Sequence, residues 1–542
     1  MVKSQILEDL KKVAAELGYK SNDIVLSISK NPRFGDYSTN IALQLAKQKL
    51  ESGKHSAKEV ANQILKKLGK PDYLKKAEVA GGGFINFFIK PESLADDLEE
   101  ILKSGSDFGK SNINKDKKAR VEFVSANPTG PLHFGNGRGG PLGDSLASVL
   151  EFSGFEVLRE YLNNDKGNQV KELGKTLSAK SGLIKVNEEE LTYKGEYTKE
   201  LALRVKEVLG DASGLSDDEV IARAGEAGVR FLHEENIQDA QDMGIRYDLI
   251  VHESELQKQA PKLLDEFEKG GYLKRSEGAV WFAPKDEFLG DREAVVVKSD
   301  GEYTYFAADI VYHKEKFTSG YNLVVDIFGS NTAGHVPKLK ALATIFGFDQ
   351  ERFKIIIYQY VRIKRANEIV KMSKRAGNFI TVREVLDEVG KDALRFMLLM
   401  FAPDTHMDFD LELAKEQSNK NPVYYVQYAH VRMANILEKA GVWLEEDKEL
   451  GLLTSGAELD LIKHLMEFPG LVVSIAQNHQ VHHLTGYSIT LADLFHKFYE
   501  QNRVLNAETD QLKIARLNLV KASRIILKNT LNLLGISAPE KM

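Results

Sequence analysis

The sequence predicts a multidomain α/β protein with a parallel sheet in the central part of the chain. The chain has 542 residues, which is too many for a single hydrophobic core. Its middle runs strand, glycine-rich loop, helix and strand, the order of a βαβ unit. Its first part mixes helices with strands, and its last part is helical. We predict three domains, at residues 1–115, 116–420 and 421–542.

The first domain is predicted to be a compact α+β unit that begins with a helix. Apolar residues from Leu7 to Leu17 recur at helical spacing, and Gly18 ends the pattern. The elements that follow are a strand, a turn, a second helix, a glycine turn with a strand, and a lysine-rich joint, at residues 24–28, 31–36, about 39–52, 79–89 and 111–118.

The second domain is predicted to carry the parallel sheet. Strands at 121–124 and 156–162 flank a helix that runs to about Ser153. A charged helical stretch at about 186–242 follows and is interpreted as an insertion. Further strands are predicted at 279–282, 294–298, 323–328 and 353–358. Such sheets bind ligands at the carboxyl ends of their strands, where an insertion would bring distant segments together.

The third domain is predicted to be an all-α helical bundle. A stripe at helical spacing is formed by Leu491, Leu494, Phe495, Phe498 and Tyr499. Residues 517–534 predict another helix, which Gly535 ends.

The composition excludes several classes of function. The chain has no cysteine, which excludes disulfides, thiolate zinc sites, iron–sulfur clusters and cysteine nucleophiles. No window approaches the roughly 18 apolar residues of a membrane span, and the acidic N-terminus does not fit a targeting peptide. We therefore predict a cytoplasmic protein without membrane contact. The net charge of −6 is only weak evidence against nucleic acid, because an acidic protein can present a local basic face.

Residues 125–136 have the form of a phosphate site, since a strand precedes them and a glycine-rich helix start follows. A glycine inside a helix costs about 1 kcal/mol relative to alanine, so we interpret the glycines as room for an adenine or a phosphate near the backbone. His133 adds a hydrogen-bond donor towards phosphate oxygens. Pro141 predicts either a helix start or a kink. The alternative is a tight turn that happens to hold a histidine.

A second motif lies in residues 371–375, where Lys371 and Lys374 flank a turn of small residues. Two lysines on a mobile loop can close on a triphosphate and neutralise charge as pyrophosphate leaves. The alternative is a solvated basic loop, which is the more common interpretation of two lysines alone.

Together, in this order, the two motifs resemble the signature motifs of class I aminoacyl-tRNA synthetases, and their wording is similar to that of the arginyl-tRNA synthetases. The match extends to residues 121–143, 159–169, 298–310, 370–379, 392–395 and 421–430. The resemblance implies a Rossmann-type catalytic domain, an N-terminal domain that contacts the tRNA corner and a helical domain that binds the anticodon. It implies that arginine and ATP give arginyl-adenylate and pyrophosphate, after which arginine moves to the 3′ end of its tRNA.

The resemblance also implies residues for the nucleotide. The implied catalytic residues are His133, Asn136, Lys371 and Lys374, and the implied ATP-binding residues are Pro131, His133, Gly135, Asn136, Gly329, Met372, Ser373 and Lys374. Mg²⁺ is expected to arrive with ATP through phosphate oxygens, and neither zinc nor an organic cofactor is expected.

Arginine requires a carboxylate in the plane of its guanidinium, because that group is permanently charged and offers five N–H donors. Tyr305 and Asp309 are four residues apart and share a face if the segment is helical. By resemblance, Asp309 pairs with the guanidinium and Tyr305 adds a hydrogen bond or packing. Glu122 and Asn127 are implied for the α-ammonium and nearby polar atoms, and Asp165 and Gln169 help to shape the pocket. A surface aspartate with a half-buried tyrosine, and a solvent-facing strand glutamate, are the alternatives.

Six residues are predicted to contact tRNA. They are Phe84, Asn86, Tyr424, Gln427, Tyr428 and Arg432. The first two would read an exposed base by stacking and an amide hydrogen bond, and the others would meet anticodon bases. Packing in the core or in the helical bundle is the alternative for each.

The chain departs from the family pattern at two places. Asn136 stands where the first motif usually has its second histidine; it keeps an amide donor but carries no positive charge. Residues 330–332 are Ser-Asn-Thr where relatives have Ala-Asp-His, so no role is carried over to Asn331. His479 and His483 have a metal-like spacing, but we interpret them as surface helix positions.

Two other functions were weighed. The cysteine enzyme of class I requires cysteine zinc ligands, which this chain lacks. A catalytically silent tRNA-binding paralogue is the other alternative, and the intact lysines of the second motif argue against it. We predict a monomeric arginine–tRNA ligase whose partners are its tRNA, arginine and ATP.

Overall fold

The computed structural model describes residues 1–20, 24–29, 32–48, 55–366, 368–370, 379–441 and 449–542. Lys371, Met372, Ser373 and Lys374 therefore lie outside the described residues, and Asn136 is described only by its backbone. Within the described ranges, no helix is long and apolar enough to cross a membrane.

The N-terminal part has a four-stranded antiparallel sheet with helices packed around it. Its helices are α1 (Val2–Glu16), α2 (Ile41–Leu45), α3 (Ala57–Leu68) and α4 (Pro91–Ser104), and its strands are β1 (Leu26–Ile28), β2 (Tyr37–Thr39), β3 (Leu74–Ala80) and β4 (Phe84–Ile89). The strand order is β1-β2-β4-β3, with every pair antiparallel. The predicted first helix and strands are present. The second helix is shorter than expected, because α2 ends at Leu45.

The sequence missed strand β3, which pairs with β4 across the predicted glycine turn. Its second and third residues, Lys75 and Lys76, are exposed, and the strand shows no apolar alternation there. An edge strand of this kind can be identified from the strand with which it pairs, but not from its own sequence pattern.

The central part contains most of the remaining elements. Its strands are β5 (Lys118–Phe123), β6 (Glu156–Asn163), β7 (Leu249–His252), β8 (Leu273–Ser276), β9 (Ala279–Phe282), β10 (Ala294–Val297), β11 (Leu323–Gly329), β12 (Phe353–Tyr358), β13 (Val361–Arg365), β14 (Glu368–Ile369) and β15 (Met407–Asp410). Its helices are α5 (Phe134–Gly137), α6 (Gly139–Phe152), α7 (Asn168–Lys180), α8 (Tyr197–Leu209), α9 (Asp217–Asp242), α10 (Glu253–Gln257), α11 (Ala260–Lys269), α12 (Tyr305–Thr318), α13 (Val336–Ile345), α14 (Val382–Leu399) and α15 (Leu411–Lys415).

A five-stranded parallel sheet organises this part, in the order β12-β11-β5-β6-β7. Strand β5 is central, and the chain winds outward from it in both directions. The multidomain α/β prediction is therefore confirmed. The strands predicted at 279–282 and 294–298 belong instead to a separate antiparallel sheet, β10-β9-β8. Period and composition do not reveal which sheet a short apolar strand joins.

The residues interpreted as an insertion contain α8 and α9, which pack against α7. Their shared apolar core includes Leu173, Leu177, Leu201, Val205 and Leu232. Tyr197 of α8 donates a hydrogen bond to the carbonyl of Thr129 (2.9 Å), and Asn236 of α9 donates to that of Gly130 (3.3 Å). These helices therefore support the loop of the first motif from one side.

The C-terminal part is helical, as predicted. Its helices are α16 (Pro422–Ala440), α17 (Gly456–Leu465), α18 (Phe468–Asn478), α19 (His483–Gln501) and α20 (Asp510–Leu533). The predicted stripe lies on α19, and its members Leu491, Phe495 and Phe498 are fully buried. Helix α20 ends before Gly535, whose φ is +67° and whose missing Cβ leaves space for the Arg395 guanidinium.

Candidate active site

The loop after β5 is strained where it enters the site. Val124 and Ser125 both have positive φ angles, +70° and +38°, although neither is glycine. A β-branched residue in this region is an outlier that the surrounding structure must hold in place. The Ser125 hydroxyl accepts a hydrogen bond from the Leu162 amide, and Tyr161 donates to the carbonyl of Ala126, each at 3.0 Å. Strand β6 thus fixes the turn.

The first motif is paired directly with the chain that follows the second motif. His133 and Thr381 form an isolated antiparallel bridge. The Phe134 amide donates to the carbonyl of Ile380 (3.0 Å), and the Val382 amide donates to that of Leu132 (2.8 Å). The second motif ends only a few residues before Ile380 in the sequence. The segment that follows the second motif is therefore anchored beside the first motif, whereas the second motif itself lies outside the described residues.

The hydrogen bonding of His133 identifies its tautomer. The ring is buried, and Nδ1 accepts a hydrogen bond from the Gly135 amide (2.9 Å). Since Nδ1 accepts, the proton of the neutral ring resides on Nε2. The ring stacks on Phe379 with a centroid distance of 5.4 Å and meets the edge of Tyr360 at 6.3 Å. His133 thus presents an oriented N–H donor, which suits a phosphate oxygen.

The glycines of the first motif are explained by the protein's own packing. A Cβ at Gly137 would lie 2.7 Å from Val382, one at Gly139 2.8 Å from Tyr358, and one at Gly143 2.2 Å from Phe123. A Cβ at Gly135 would lie 2.9 Å from Tyr360 and 3.0 Å from His133 Nδ1. Our interpretation of close ligand approach is therefore wrong for Gly137, Gly139 and Gly143, where protein side chains fill the space. Helix α6 starts at Gly139, so Pro141 lies in its first turn.

A row of amides and a carboxylate lines the ends of β5 and β6. Asn127 donates to Gln169 Oε1 and accepts from Asn164 Nδ2, each at 3.0 Å. The carboxylate of Asp165 accepts from the amide and the hydroxyl of Ser254, at 2.8 and 2.9 Å. The structure therefore brings Asn127, Asp165 and Gln169 to the same edge of the sheet, and their contact with arginine stays a prediction.

Tyr305 and Asp309 lie on one face of α12, and His335 joins them. The Tyr305 hydroxyl is 3.0 Å from His335 Nε2, and the Asp309 carboxylate is 3.9 Å from His335 Nδ1. Burial, with Lys338 and His313 nearby, lowers the pKa of His335 to about 4. His335 is therefore a neutral hydrogen-bonding partner at pH 7. The sequence did not indicate His335, although this residue lies just after the segment 330–332, which departs from the family pattern.

A second carboxylate that the sequence did not indicate lies on a helix that packs against the helix of Asp309. Glu253 begins α10 directly after β7, is 3% exposed, and α10 packs on α12. Burial, with smaller contributions from Asp309 and Asp165, raises the pKa of Glu253 to about 7 against the opposing effect of a hydrogen bond from Gln257. Burial likewise raises the pKa of Asp309 to about 6, with Glu122 adding to the effect. Burial thus favours the neutral form of both carboxyl groups, one on α10 and one on α12.

Glu122 is buried in the sheet, and its carboxylate pairs with Lys316 of α12. The alternative of a solvent-facing glutamate is therefore wrong. Its contact with the α-ammonium of the substrate stays a prediction, and in this structure the cation that it pairs with is Lys316.

Two of the predicted ATP-binding residues are placed as follows. Gly329 ends β11, and a Cβ there would lie 2.7 Å from Asn331 Oδ1. Pro131, half-buried, precedes His133 by two residues.

The residues predicted to contact tRNA fall into two groups. Phe84 and Tyr428 are exposed, at 45% and 39%, and Tyr424 and Tyr428 have parallel rings 6.5 Å apart that line a cavity of about 560 Å³. Asn86 is buried and accepts from the Ser38 hydroxyl (2.9 Å). Gln427 is buried and donates to Asp392 (2.8 Å).

The remaining positions that the sequence analysis singled out are Arg432, His479 and His483. The Arg432 guanidinium lies 4.5 Å from the centre of the Tyr499 ring. His479 is not a helix-surface residue, because it has a left-handed conformation and ends α18, whereas His483 begins α19. In the described ranges, no group of three or more His, Cys, Asp or Glu side chains could hold a metal ion.

Family models cover nearly the whole chain. The model of the arginyl-tRNA synthetase N-terminal domain matches residues 1–89. The model of the class I (R) tRNA synthetase catalytic domain matches residues 97–401. The model of the DALR anticodon-binding domain matches residues 426–542.

Individual relatives agree with these models. The chain is 43% identical to an arginine–tRNA ligase of Citrifermentans bemidjiense, with 94% of this chain and 93% of the relative covered. It is 40% identical to that of Carboxydothermus hydrogenoformans, with 100% and 99% covered. A Campylobacter jejuni arginyl-tRNA synthetase structure is 32% identical, with a TM-score of 0.75 over 84% of this chain and 100% of that one.

A Thermus thermophilus arginyl-tRNA synthetase has the same fold, with a TM-score of 0.79, full coverage of both chains and 23% identity. The resemblance to the arginyl-tRNA synthetases, first seen in the two motifs, is thus confirmed over the whole length of the chain. This chain belongs to the arginyl-tRNA synthetases, a family of class I aminoacyl-tRNA synthetases.

Proposed function

We propose that this chain is an ATP-dependent arginine–tRNA ligase that recognises its amino acid in the pocket between α10 and α12. The observation that carries this proposal is the pair of carboxylates Glu253 and Asp309 on the packed helices α10 and α12; burial raises the pKa of both groups, and Asp309 adds to the rise at Glu253. Two carboxylates beside one another are costly to bury unless a cation joins them. A guanidinium is such a cation, and its fork of N–H donors matches carboxylate oxygens.

The other groups of the proposed pocket, Tyr305 and His335, are also compatible with a bound guanidinium. Tyr305 contributes a half-exposed ring and a hydroxyl already paired with His335. Because His335 is neutral, it adds no charge that would repel the substrate. Lysine would place a single ammonium in the same space and could not bridge both carboxylates with planar geometry. The pocket therefore favours arginine by charge, shape and hydrogen-bond direction.

ATP is proposed to bind between the first motif and the lysines of the second motif. The Nε2–H of His133 donates towards a phosphate oxygen, and the bridge to Thr381 holds the following segment beside it. Asn136, Lys371 and Lys374 are proposed to contact the nucleotide, together with Pro131, Gly135, Gly329, Met372 and Ser373. Mg²⁺ is expected to enter with ATP, bound mainly by phosphate oxygens.

The chemistry then follows in two steps. The arginine carboxylate attacks the α-phosphorus, a new P–O bond forms, and pyrophosphate leaves with the electrons of the broken P–O bond. A terminal hydroxyl of the tRNA next attacks the arginyl carbonyl, and AMP leaves. The chain's groups orient the carboxylate and stabilise the charge that develops on the phosphates.

For tRNA, the exposed aromatic groups are the strongest candidates for contact. We propose that Tyr424 and Tyr428 offer a surface on which bases stack, with Arg432 behind them, and that Phe84 does the same on the N-terminal sheet. Asn86 and Gln427 use their amides inside the protein and would act by supporting these surfaces. We propose the domain limits 1–115, 116–420 and 421–542 from the division of the fold into an N-terminal, a central and a C-terminal part. The monomeric state and the cytoplasmic location stay predictions.

The experiment that tests this function is ATP–pyrophosphate exchange with each amino acid, with and without tRNA. We expect exchange with arginine alone and, by family resemblance, only when tRNA is present. Exchange with another amino acid would contradict the arginine pocket. No exchange in the presence of tRNA that a reference enzyme can charge would favour the silent tRNA-binding paralogue.

A further inference from the structure

Three neighbouring strands of the parallel sheet carry a row of buried carboxylates directly beneath the arginine pocket. Asp326 of β11 is in register with Glu122 of β5, and Glu122 is in register with Glu160 of β6. All three are at most 2% exposed. Like charges placed side by side across strands repel, so this carboxylate row requires compensating cations.

Lys316 of α12 supplies the central compensation. Its ammonium pairs with Glu122, lies 2.7 Å from Asp326 Oδ1 and 3.8 Å from Glu160 Oε2, and has no solvent exposure. One lysine therefore holds a carboxylate from each of three strands. Burial opposes the charge of Asp326, but Lys316 and His313 overcome it and lower the pKa of Asp326 to about 2.

His313 extends the row towards the pocket. Its Nδ1 lies 2.8 Å from the carbonyl of Asp309, and its Nε2 lies 3.2 Å from Asp326 Oδ2. Both partners offer acceptor oxygens, so each ring nitrogen has a partner within hydrogen-bond distance. Arg120, which pairs with Glu160, joins Lys316 in compensating the charge of the carboxylate row.

The same helix face carries the predicted arginine-binding residues. Tyr305, Asp309, His313 and Lys316 follow at intervals of four, four and three residues, and so form one stripe on α12. Lys316 lies seven residues beyond Asp309, or about 10 Å along the helix axis. A buried ion cluster is seldom more stable than an apolar replacement, but it permits only one arrangement of its members.

We propose that Lys316 and His313 are positioning residues for arginine recognition, which lock α12 onto the carboxylate row and thereby set the separation of Asp309 from Glu253. This inference rests on the proposed arginine pocket. Lys316 fixes the axial position and rotation of α12, and His313 fixes the turn that carries Asp309. Glu122 acts in this arrangement through Lys316.

The test is designed to preserve the charge balance of the buried cluster. Glu122→Gln/Lys316→Gln removes one charge of each sign, and His313→Gln removes the bonds at the other end of the row. Lys314→Gln is the matched control, because Lys314 lies on the same helix but pairs at the surface with Glu266 (2.7 Å). Thermal melting and circular dichroism establish that each variant is folded.

Arginine-dependent ATP–pyrophosphate exchange in the presence of tRNA is the functional readout. Because a displacement of about 1 Å can reduce a rate about 100-fold, we expect the KM for arginine to rise about 10- to 100-fold in the double variant and in His313→Gln. The KM for ATP should stay within about twofold, and Lys314→Gln should match the wild type. The preference for arginine over lysine should fall with the rise in KM.

The opposing outcomes are distinct. If folded double and His313→Gln variants keep the wild-type KM for arginine, the row is only structural and the inference is overturned. An equal loss for arginine and ATP would overturn it as well, because positioning acts on one substrate. If the double variant does not fold, His313→Gln decides by the same criteria, and its own failure to fold would assign the row to stability alone. Absence of arginine-dependent exchange in the wild type would instead refute the proposed function itself.

Discussion

His133 and Thr381 form an antiparallel bridge that joins the first nucleotide motif to the start of α14. Thr381 is also the N-cap of α14, where its hydroxyl accepts from the Glu384 amide (3.1 Å) and the Glu384 carboxylate accepts from the Thr381 amide (2.7 Å). The capping box therefore stabilises both the helix and the segment that pairs with His133. The site and the helix cannot shift independently.

Thr381→Ala is the first prediction. Loss of the cap should reduce the free energy of unfolding by about 1 kcal/mol, and looser pairing with His133 should raise the KM for ATP. Chemical denaturation and pyrophosphate exchange measure the two effects. Ser216→Ala removes an equivalent capping box from α9 and is the control. Equal changes in the KM for ATP in both variants would contradict the role of the bridge.

The second prediction concerns the paired carboxylates. Asp309→Asn and Glu253→Gln should each raise the KM for arginine, because truncating one partner of a buried charge pair costs about 2–5 kcal/mol. This corresponds to roughly 30-fold or more, with ATP binding largely unchanged. Glu266→Gln, a surface carboxylate on α11, is the control and should have no effect. An unchanged KM in Glu253→Gln would show that Asp309 alone recognises the guanidinium.

The third prediction is a pH dependence of arginine binding. The pKa values of Asp309 and Glu253 are about 6 and about 7 without substrate, so both groups take up protons as the pH falls below 7. The KM for arginine should therefore rise between pH 8 and pH 5.5, because a cation binds poorly to neutral carboxyl groups. Steady-state kinetics across this range will measure it, and a flat profile would contradict the raised pKa values.

The same two groups predict how stability changes with pH. Unfolded carboxyl groups titrate near pH 4, so between about pH 4 and pH 7 the folded chain binds more protons than the unfolded chain. The contribution of these groups to the free energy of unfolding therefore falls as the pH rises through that window. Bound arginine should reverse this, so the shift in Tm with arginine should be larger at pH 8 than at pH 5.5.

The fourth prediction separates the two kinds of residue assigned to tRNA. Tyr428→Ala and Phe84→Ala should raise the KM for tRNA about 5- to 100-fold, the range expected for the loss of one stacked base, and should leave folding intact. Gln427→Ala should instead lower the Tm, because it removes the amide that donates to Asp392 Oδ2 and to the carbonyl of Ser537. Aminoacylation kinetics and thermal melting compare them. A normal KM for tRNA in both exposed-aromatic variants would remove these surfaces from the interface.

The fifth prediction tests Asn136, the departure from the family motif. Asn136→Ala should raise the KM for ATP about 5- to 10-fold, consistent with the loss of one hydrogen bond. Asn136→His should restore binding and add an ionisation to the pH profile, since only histidine titrates near neutral pH. If Asn136→Ala leaves ATP binding and the activation rate unchanged, Asn136 has no role in the nucleotide site.

Local patterns predicted the fold class well because they depend on neighbours in sequence. The first helix, the βαβ unit and the stripe on α19 follow from apolar periodicity and were found. The sheet to which each short strand belongs could not be predicted. Strands β9 and β10 have the composition of the central strands, but they pair with one another. The choice depends on contacts that form only when the chain folds.

The same limit applies to the site. The sequence indicated Asp309 and Tyr305 by resemblance to the family, and it indicated His133 by its motif. It gave no signal for Glu253 or His335, because each follows a strand end without a motif of its own. It also could not show that Asn86 and Gln427 turn inward, since an amide satisfies its hydrogen bonds inside or outside a protein equally well.

By itself, the sequence determined the family of this protein and predicted its chemistry: a nucleotide site in two halves, a pocket for arginine and a helical region for tRNA. Tertiary structure decided how these parts are held. It packed the helix of Glu253 against that of Asp309, joined His133 to Thr381, and set Lys316 beside carboxylates from three strands. The physical reason is that residue type and spacing fix what a side chain can do, whereas strand register and helix rotation fix what it meets.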